Sequence, residues 1–442
     1  MTGFRVRLFL CQLTYYYYMK FPERIKKFFK NIGPGFVTGA ADDDPSGIAT
    51  YSIAGAKFGL GMSWLTLFLL PAMISIQEMC GRLGMTTGRG LAGVIKKFSS
   101  KKVMWMAVSL LTFANVVNIG ADLGIMASSL HMVFGLNFFF WLFLTAMVIV
   151  ILEIWVGYKK YSEILKWLGL SLLAYVFTAF LIRPNWGEVL SATFIPRITW
   201  STDYIMTLVA FLGTTISPYL FFWQASQEVE EEIVDRRSLI VDFNQKPNVT
   251  EGMIGKMRMD TKLGMLFSNL MTFFIVVTTA GTLNAHGIFK IESAEQAALA
   301  LRPLAGDFAY LLFAVGIIGI GLQAVPVLAG SVAYALSEAM GLKEGLGKKF
   351  NKAQGFYFIL VVATMVGVLM NLWGINTMQA FYYSAVVNGV VAVPLIFIII
   401  RLAGRSEVVG KYKTEKKYLV IAWITFVFMA LSVLLMFWNF GK

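Results

Sequence analysis

The stretch GPGFVTGAADDDPSGIAT (residues 33–50) is the most informative part of the chain. It places three carboxylates, Asp42, Asp43 and Asp44, and then Pro45 in the middle of an apolar segment. An aspartate at mid-membrane costs about 2.5–3.5 kcal/mol on insertion scales, so three unpaired ones would cost about 8–10 kcal/mol. We therefore expect this helix to be broken at the aspartates, where a cation or water compensates their charge.

The composition is that of an integral membrane protein. Of the 442 residues, 57% are hydrophobic and 14% are charged, whereas about a quarter of a soluble domain is charged. A spanning helix needs roughly 20 mostly apolar residues. Read on that scale, the sequence predicts an all-α protein with about eleven transmembrane helices, near residues 34–54, 61–81, 103–130, 136–157, 161–182, 204–226, 263–285, 306–337, 354–372, 376–400 and 418–439.

The basic residues alternate with these helices. If the N-terminus is cytoplasmic, 31 Lys and Arg fall in cytoplasmic segments and six outside. Cytoplasmic loops of membrane proteins carry such an excess, so we predict a cytoplasmic N-terminus and an external C-terminus. Topology explains the net charge of +13, and no nucleic-acid partner is expected. Two cysteines and two histidines are too few for a disulfide framework or a zinc site.

The predicted helices divide the chain into four parts. Residues 1–32 form a cytoplasmic N-terminal segment, in which we expect Met19 to be the native start because no cleavable signal precedes it. Residues 33–182 and 204–400 are two five-helix repeats. Residues 401–442 hold a cytoplasmic loop and the eleventh helix.

The sixth predicted helix is interrupted like the first. Residues 210–220 read AFLGTTISPYL, with small hydroxyl residues before Pro218. Proline removes a backbone donor and frees upstream carbonyls. The breaks lie in helices one and six, whose starts are five helices apart, so the two broken helices run in opposite directions. Discontinuous helices at matching positions of an inverted repeat indicate the central site of a secondary transporter.

Several motifs carry a family resemblance. The pieces GPG (33–35) and DPSG (44–47) resemble the first helix of the NRAMP divalent-metal transporters, whose motif is Asp-Pro-Gly-Asn. RLGMTTGRGLA (82–92) and GYKKYSE (157–163) resemble two further segments of that family. The resemblance implies an inverted five-plus-five fold of the LeuT/APC type. It also implies a metal held between the unwound parts of helices one and six.

The chain departs from the family at two ligand positions. Asp44 matches the family's metal-binding aspartate, but Gly47 stands at its asparagine and Ser217 at its helix-six methionine. A thioether favours soft metals, whereas carboxylate, hydroxyl and carbonyl oxygens suit Mg²⁺, Ca²⁺ or Mn²⁺. The two small residues predict a wider cavity, which suits Mg²⁺ because it keeps several waters. Mg²⁺ is favoured modestly over Mn²⁺.

The candidate ligands combine side chains and backbone carbonyls. They are Asp44, Ala41, Asp43, Gly47, Thr214, Ser217 and Gln323. Asp122 in helix three is a buried carboxylate that either carries a proton or is a paired structural residue. The helix-six histidines of the family appear as Tyr219 and Gln224, which do not titrate near neutral pH. Proton symport and uniport therefore both remain open.

The sequence thus predicts a transporter that moves a divalent cation into the cytoplasm by alternating access. No cofactor is expected beyond the transported ion, and the chain is expected to act as a monomer in a bacterial or archaeal plasma membrane. An amino-acid or organic-cation transporter of the same fold is the alternative, although such a protein more usually exposes a helix N-terminus without three acids beside it. A membrane-embedded hydrolase needs a nucleophile and a base, which these helices do not supply.

Overall fold

A computed structural model describes residues 33–155, 172–235, 240–373 and 376–440. All the regular structure within these ranges is helical, and the chain from Pro34 onward forms one compact unit. The expected start at Met19 and the motif at 157–163 lie outside the described residues.

Counted among the described residues alone, the first half of the chain supplies nine α-helices. They are α1 (Pro34–Asp42), α2 (Pro45–Phe58), α3 (Trp64–Thr87), α4 (Leu91–Phe98), α5 (Lys101–Phe134), α6 (Phe138–Trp155), α7 (Leu173–Leu181), α8 (Trp186–Phe194) and α9 (Thr202–Thr215). The second half supplies nine more. They are α10 (Pro218–Asp235), α11 (Glu251–Thr282), α12 (Ala294–Ala298), α13 (Arg302–Ala305), α14 (Ala309–Met340), α15 (Gln354–Met370), α16 (Thr377–Ala403), α17 (Ser406–Val409) and α18 (Lys416–Phe440).

Within the described ranges, nine helical segments are long and apolar enough to cross a membrane. The predicted first span is not among them; it consists of the two short helices α1 and α2 and carries three aspartates. The predicted fifth span falls partly in residues 156–171, outside the described part. Helix α6 is strongly apolar, with a mean hydropathy of 2.3, yet only 28% of its residues are buried inside the protein. Such an apolar outer surface suits lipid rather than water.

The two predicted helix breaks are present. Helix α1 ends at Asp42 and α2 begins at Pro45, while α9 ends at Thr215 and α10 begins at Pro218. A proline alone does not produce such a break, since Pro71 and Pro326 both lie inside continuous helices. At the first break the carboxylates do not propagate the helix, and Asp44 instead caps α2.

Helix α1 lies unusually close to α11. A Cβ added at Gly39 would lie 2.2 Å from the carbonyl carbon of Gly264, and one added at Gly264 would lie 2.3 Å from the oxygen of Gly35. Only glycine permits this backbone-to-backbone contact. Asp260 on α11 accepts hydrogen bonds from the amides of Gly35 (2.7 Å) and Phe36 (3.2 Å). These are amides of the first turn of α1, which have no intrahelical partner.

Candidate metal-binding site

Asp44 is fixed at the N-terminus of α2. Its Oδ1 accepts hydrogen bonds from the Gly47 amide (2.6 Å) and the Ser46 hydroxyl (2.7 Å). The residue is only 1% exposed, and its backbone is extended, as is usual for an N-cap. The positive end of the helix dipole therefore helps to hold a buried carboxylate at the break.

Tyr219 joins the two broken helices. It follows Pro218 in the first turn of α10, and its hydroxyl lies 2.8 Å from the carbonyl oxygen of Ala41 and 3.4 Å from Oδ2 of Asp44. Since Ala41 belongs to α1, the predicted meeting of the two breaks is present as a direct contact. In this conformation the tyrosine hydroxyl lies within hydrogen-bonding distance of two oxygens that we expected to bind a metal.

The end of α9 presents further oxygen atoms. The Ser217 hydroxyl donates toward the carbonyls of Gly213 (2.8 Å) and Thr214 (2.9 Å). The Thr214 hydroxyl is buried and has no hydrogen-bond partner among the described residues. Thr215 contacts the hydroxyl of Tyr51 on α2 at 3.0 Å. Ser217 thus uses its proton to cap the helix end, while its oxygen retains a lone pair.

Gly47 has neighbouring groups close to it in this conformation, and the wider cavity stays a prediction. A Cβ added at Gly47 would lie 3.3 Å from Oδ1 of Asp44 and 3.4 Å from the ring of Tyr51. The tyrosine ring and the carboxylate fill the space that the absent side chain leaves. Gly47 contributes its amide to Asp44 and offers no side-chain ligand.

Asp42 and Asp43 contact a different helix. The Ser268 hydroxyl on α11 lies 2.7 Å from Oδ2 of Asp42 and 3.3 Å from Oδ1 of Asp43. Thr272, one turn later, lies 3.4 Å from the same oxygen of Asp43. Asp43 was expected to assist Asp44, but its side-chain hydrogen bonds go to α11, whereas Asp44 contacts α10.

The remaining candidates are buried polar groups on the surrounding helices. Asp122 on α5 is fully buried, and it lies close enough to interact with the charge of Asp44 and with the backbone amide of Ser46. Gln323 on α14 is buried with a free Nε2, and no described contact joins it to Asp44. Among the described residues, no three His, Cys, Asp or Glu side chains converge on one metal position. Among the described residues, the candidate site thus offers Asp44, with Asp122 nearby, and neutral oxygens around them.

Sequence reasoning missed several of these neighbours. Tyr219 was noted as a replaced histidine but not as a member of the site, and neither Tyr51 nor the pair Ser268 and Thr272 was singled out. A usable signal was present, since Ser268 and Thr272 are spaced i, i+4 and so share one helix face.

A known protein family matches nearly the whole chain. The family model described as "Natural resistance-associated macrophage protein-like", Nramp, matches residues 35–439. The chain belongs to the Nramp family. It is a membrane transporter rather than an enzyme, and the resemblance inferred from the motifs is confirmed.

Curated relatives of this Nramp chain include three bacterial proteins, each named "Divalent metal cation transporter MntH". The Caldanaerobacter subterraneus protein is 28% identical over 69% of this chain and 71% of its own length. The Clostridium acetobutylicum protein is 24% identical and covers 95% of this chain and 93% of its own length. The Bacillus subtilis protein is also 24% identical, with 91% of each chain covered.

Solved structures confirm the fold class of this Nramp chain. A crystal structure of the Eremococcus coleocola manganese transporter has a TM-score of 0.72 at 16% identity and covers 92% of this chain and 86% of that one. Mhp1, a nucleobase-cation-symport-1 family transporter, has a TM-score of 0.60 at 12% identity, with 92% of each chain covered. At such identities the likeness concerns the fold alone, which is the all-helical inverted-repeat transporter fold that the sequence predicted.

Proposed function

We propose that this protein carries a divalent metal cation, Mg²⁺ in preference to Mn²⁺, across the plasma membrane into the cytoplasm by alternating access. Asp44 is the principal ligand in this proposal. The observation that carries it is the junction of the two helix breaks, where Asp44, the carbonyl of Ala41 and the hydroxyl of Tyr219 meet. Such irregular backbone at membrane depth is tolerated where it lines a site.

The ligand chemistry supports a hard cation. The described groups at the junction are carboxylate, carbonyl and hydroxyl oxygens, and Ser217 stands where a thioether would favour softer metals. The relatives' names support the broader class of divalent metals, and the Eremococcus structure is that of a manganese transporter. The preference for Mg²⁺ rests on the residues of this chain.

Burial supports alternating access. Asp44, Thr214 and Ser217 are each 1% exposed, and Tyr219 is fully buried. An ion cannot reach Asp44 in this conformation from either side without a movement of the surrounding helices. The high share of basic residues in predicted cytoplasmic loops supports the orientation with the N-terminus inside.

The same geometry argues against the amino-acid alternative. A substrate carboxylate would be recognised by free amides at a helix N-terminus. At α2 the Gly47 amide is already bound by the side chain of Asp44, 2.6 Å away. The break thus presents a carboxylate to its surroundings, which suits a cation.

The test is uptake of Mg²⁺ and of Mn²⁺ into liposomes that contain the purified chain, with internal pH read in parallel. Asp44→Asn keeps the shape and can still cap α2, but it loses the charge. A charged contact is worth about 1.5–3 kcal/mol, so ion affinity should fall about 10-fold to 150-fold. The matched control is Asp203→Asn, because Asp203 is exposed and paired with Lys57 at the surface.

We expect Mg²⁺ uptake by the wild type and by the Asp203 variant, and little uptake by the Asp44 variant. Acidification that accompanies uptake would indicate proton symport, for which Asp122 is the candidate carrier, and uptake without acidification would indicate uniport. Undiminished transport by the Asp44 variant would refute the assignment of the site.

A further inference from the structure

Asp42 and Asp43 form a buried acidic pair that the site at Asp44 does not use. Both residues are fully buried, and the Ser268 hydroxyl contacts one oxygen of each, which brings the two carboxylates to a common point. Asp42 Oδ1 and Asp43 Oδ2 have no hydrogen-bond partner among the described residues. Unpaired buried carboxylate oxygens are costly and call for a compensating group.

No basic side chain provides that compensation within the described ranges. The ion pairs found there join Lys57 to Asp203, Arg82 and Arg258 to Glu78, Arg258 and Lys417 to Glu415, and Lys348 to Asp242. None of these reaches Asp42 or Asp43. The Asp42 carboxyl thus contacts the Ser268 hydroxyl, and the Asp43 carboxyl contacts the hydroxyls of Ser268 and Thr272, with no cationic side chain of the described residues beside them.

The pair is separate from Asp44 in its contacts. Asp44 hydrogen-bonds with the start of its own helix and with Tyr219 of α10. Asp42 hydrogen-bonds with Ser268, and Asp43 with Ser268 and Thr272, both of which lie on α11. The non-helical turn between α1 and α2 thus directs adjacent carboxylates to two different helices.

We infer that Asp42, Asp43, Ser268 and Thr272 form a second cation site, which takes a hard divalent cation beside the one bound at Asp44. The inference rests on the proposed function, because the same ions supply both sites. The four side chains offer at most six oxygens and no nitrogen or sulfur, which is the ligand chemistry of Mg²⁺, Ca²⁺ and Mn²⁺. Two carboxylates match the charge of one divalent ion.

The test counts the ions bound to the purified full-length chain. Mn²⁺ serves as the probe, its free concentration is read by electron paramagnetic resonance at equilibrium, and choline is the background cation. We expect two Mn²⁺ per chain in the wild type. One Mn²⁺ should remain in Asp42→Asn/Asp43→Asn, and one should remain in Asp44→Asn.

Ser268→Ala provides a milder variant in case the double substitution fails to fold. It removes one hydroxyl ligand and should lower the affinity for one of the two Mn²⁺ ions about tenfold. This factor corresponds to about 1.4 kcal/mol, which is the size of one hydrogen bond. Ser432→Ala is the matched control, since Ser432 is buried in α18 and contacts only the carbonyl of Phe428. Both Mn²⁺ ions should bind to it as in the wild type.

One Mn²⁺ in the wild type, lost on Asp44→Asn, would overturn the second site and leave the proposed function intact. A second Mn²⁺ that binds in choline but is displaced by Na⁺ at physiological concentration would assign the pair to a monovalent ion and overturn the divalent assignment. Failure of the proposed function would look different, because the wild type would then bind neither Mn²⁺ nor, in a parallel calorimetric titration, Mg²⁺.

Discussion

Replacing Tyr219 with phenylalanine should make the protein bind its ion more tightly. The hydroxyl of Tyr219 lies 2.8 Å from the carbonyl of Ala41 and 3.4 Å from Asp44. Both oxygens are proposed metal ligands, so the hydroxyl and the ion compete for them. Tyr219→Phe removes the competitor and keeps the ring, which is fully buried.

The magnitude follows from the state that the hydroxyl stabilises. Leaving a buried carbonyl without a donor costs about 1–3 kcal/mol, and this cost falls on the ion-free conformation alone, because a bound ion would satisfy the carbonyl. The ion affinity should therefore rise by about 5-fold to 150-fold. The ion-free protein should at the same time unfold at a lower temperature than the wild type.

Calorimetric titration with Mg²⁺ or Mn²⁺, together with thermal unfolding without ions, measures both effects. Tyr382→Phe is the matched control, since the Tyr382 hydroxyl contacts Thr207 at 3.0 Å on the face where α9 meets α16. Its ion affinity should not change. Weaker binding by the Tyr219 variant would refute the reasoning and show that the hydroxyl is itself a ligand.

Two further predictions concern stability. Gly39→Ala places a Cβ against the backbone of α11 and should lower the free energy of unfolding by about 1–3 kcal/mol or more, whereas Gly252→Ala meets nothing closer than 3.9 Å and should be neutral in thermal unfolding. Burial, together with the nearby charge of Glu338, holds the pKa of Glu344 in the loop after α14 well above its usual range. The carboxyl of Glu344 has its ordinary pKa in the unfolded chain, so it loses its proton at a lower pH there than in the folded protein. The free energy of unfolding should therefore fall as the pH rises above the usual pKa range of a glutamate. Glu344→Gln should flatten this dependence in thermal unfolding measured from pH 5 to 8, and an unchanged slope would contradict it.

The sequence predicted the broken helices because their cause is local. A segment with a proline beside carboxylates or small hydroxyl residues does not form a regular lipid-facing helix. On this ground the sequence correctly predicted breaks at Pro45 and Pro218 but not at Pro71 and Pro326. The family motifs in residues 33–92 added the architecture, which the match to Nramp confirmed. Local chemistry was sufficient for these features.

The orientation of individual side chains was not predictable in the same way. Asp43 and Asp44 are neighbours, but the irregular turn that contains them has no fixed periodicity, so the helix that each faces depends on the packed structure. Likewise, the small size of Gly47 predicted open space, but the sequence did not show that the ring of Tyr51 lies beside it. The hydroxyl of Tyr219 reaches Ala41 because two helices that are distant in sequence meet there.

The glycine contact between α1 and α11 bears on how the transporter can open. Because the two backbones touch without side chains between them, α1 has no layer of flexible groups over which to slide. Asp260 also ties the first turn of α1 to α11. A swing of α1 by itself would break both contacts at once, so we expect the two helices to move together as one rigid body, hinged at the aspartate turn where we propose that the cation binds.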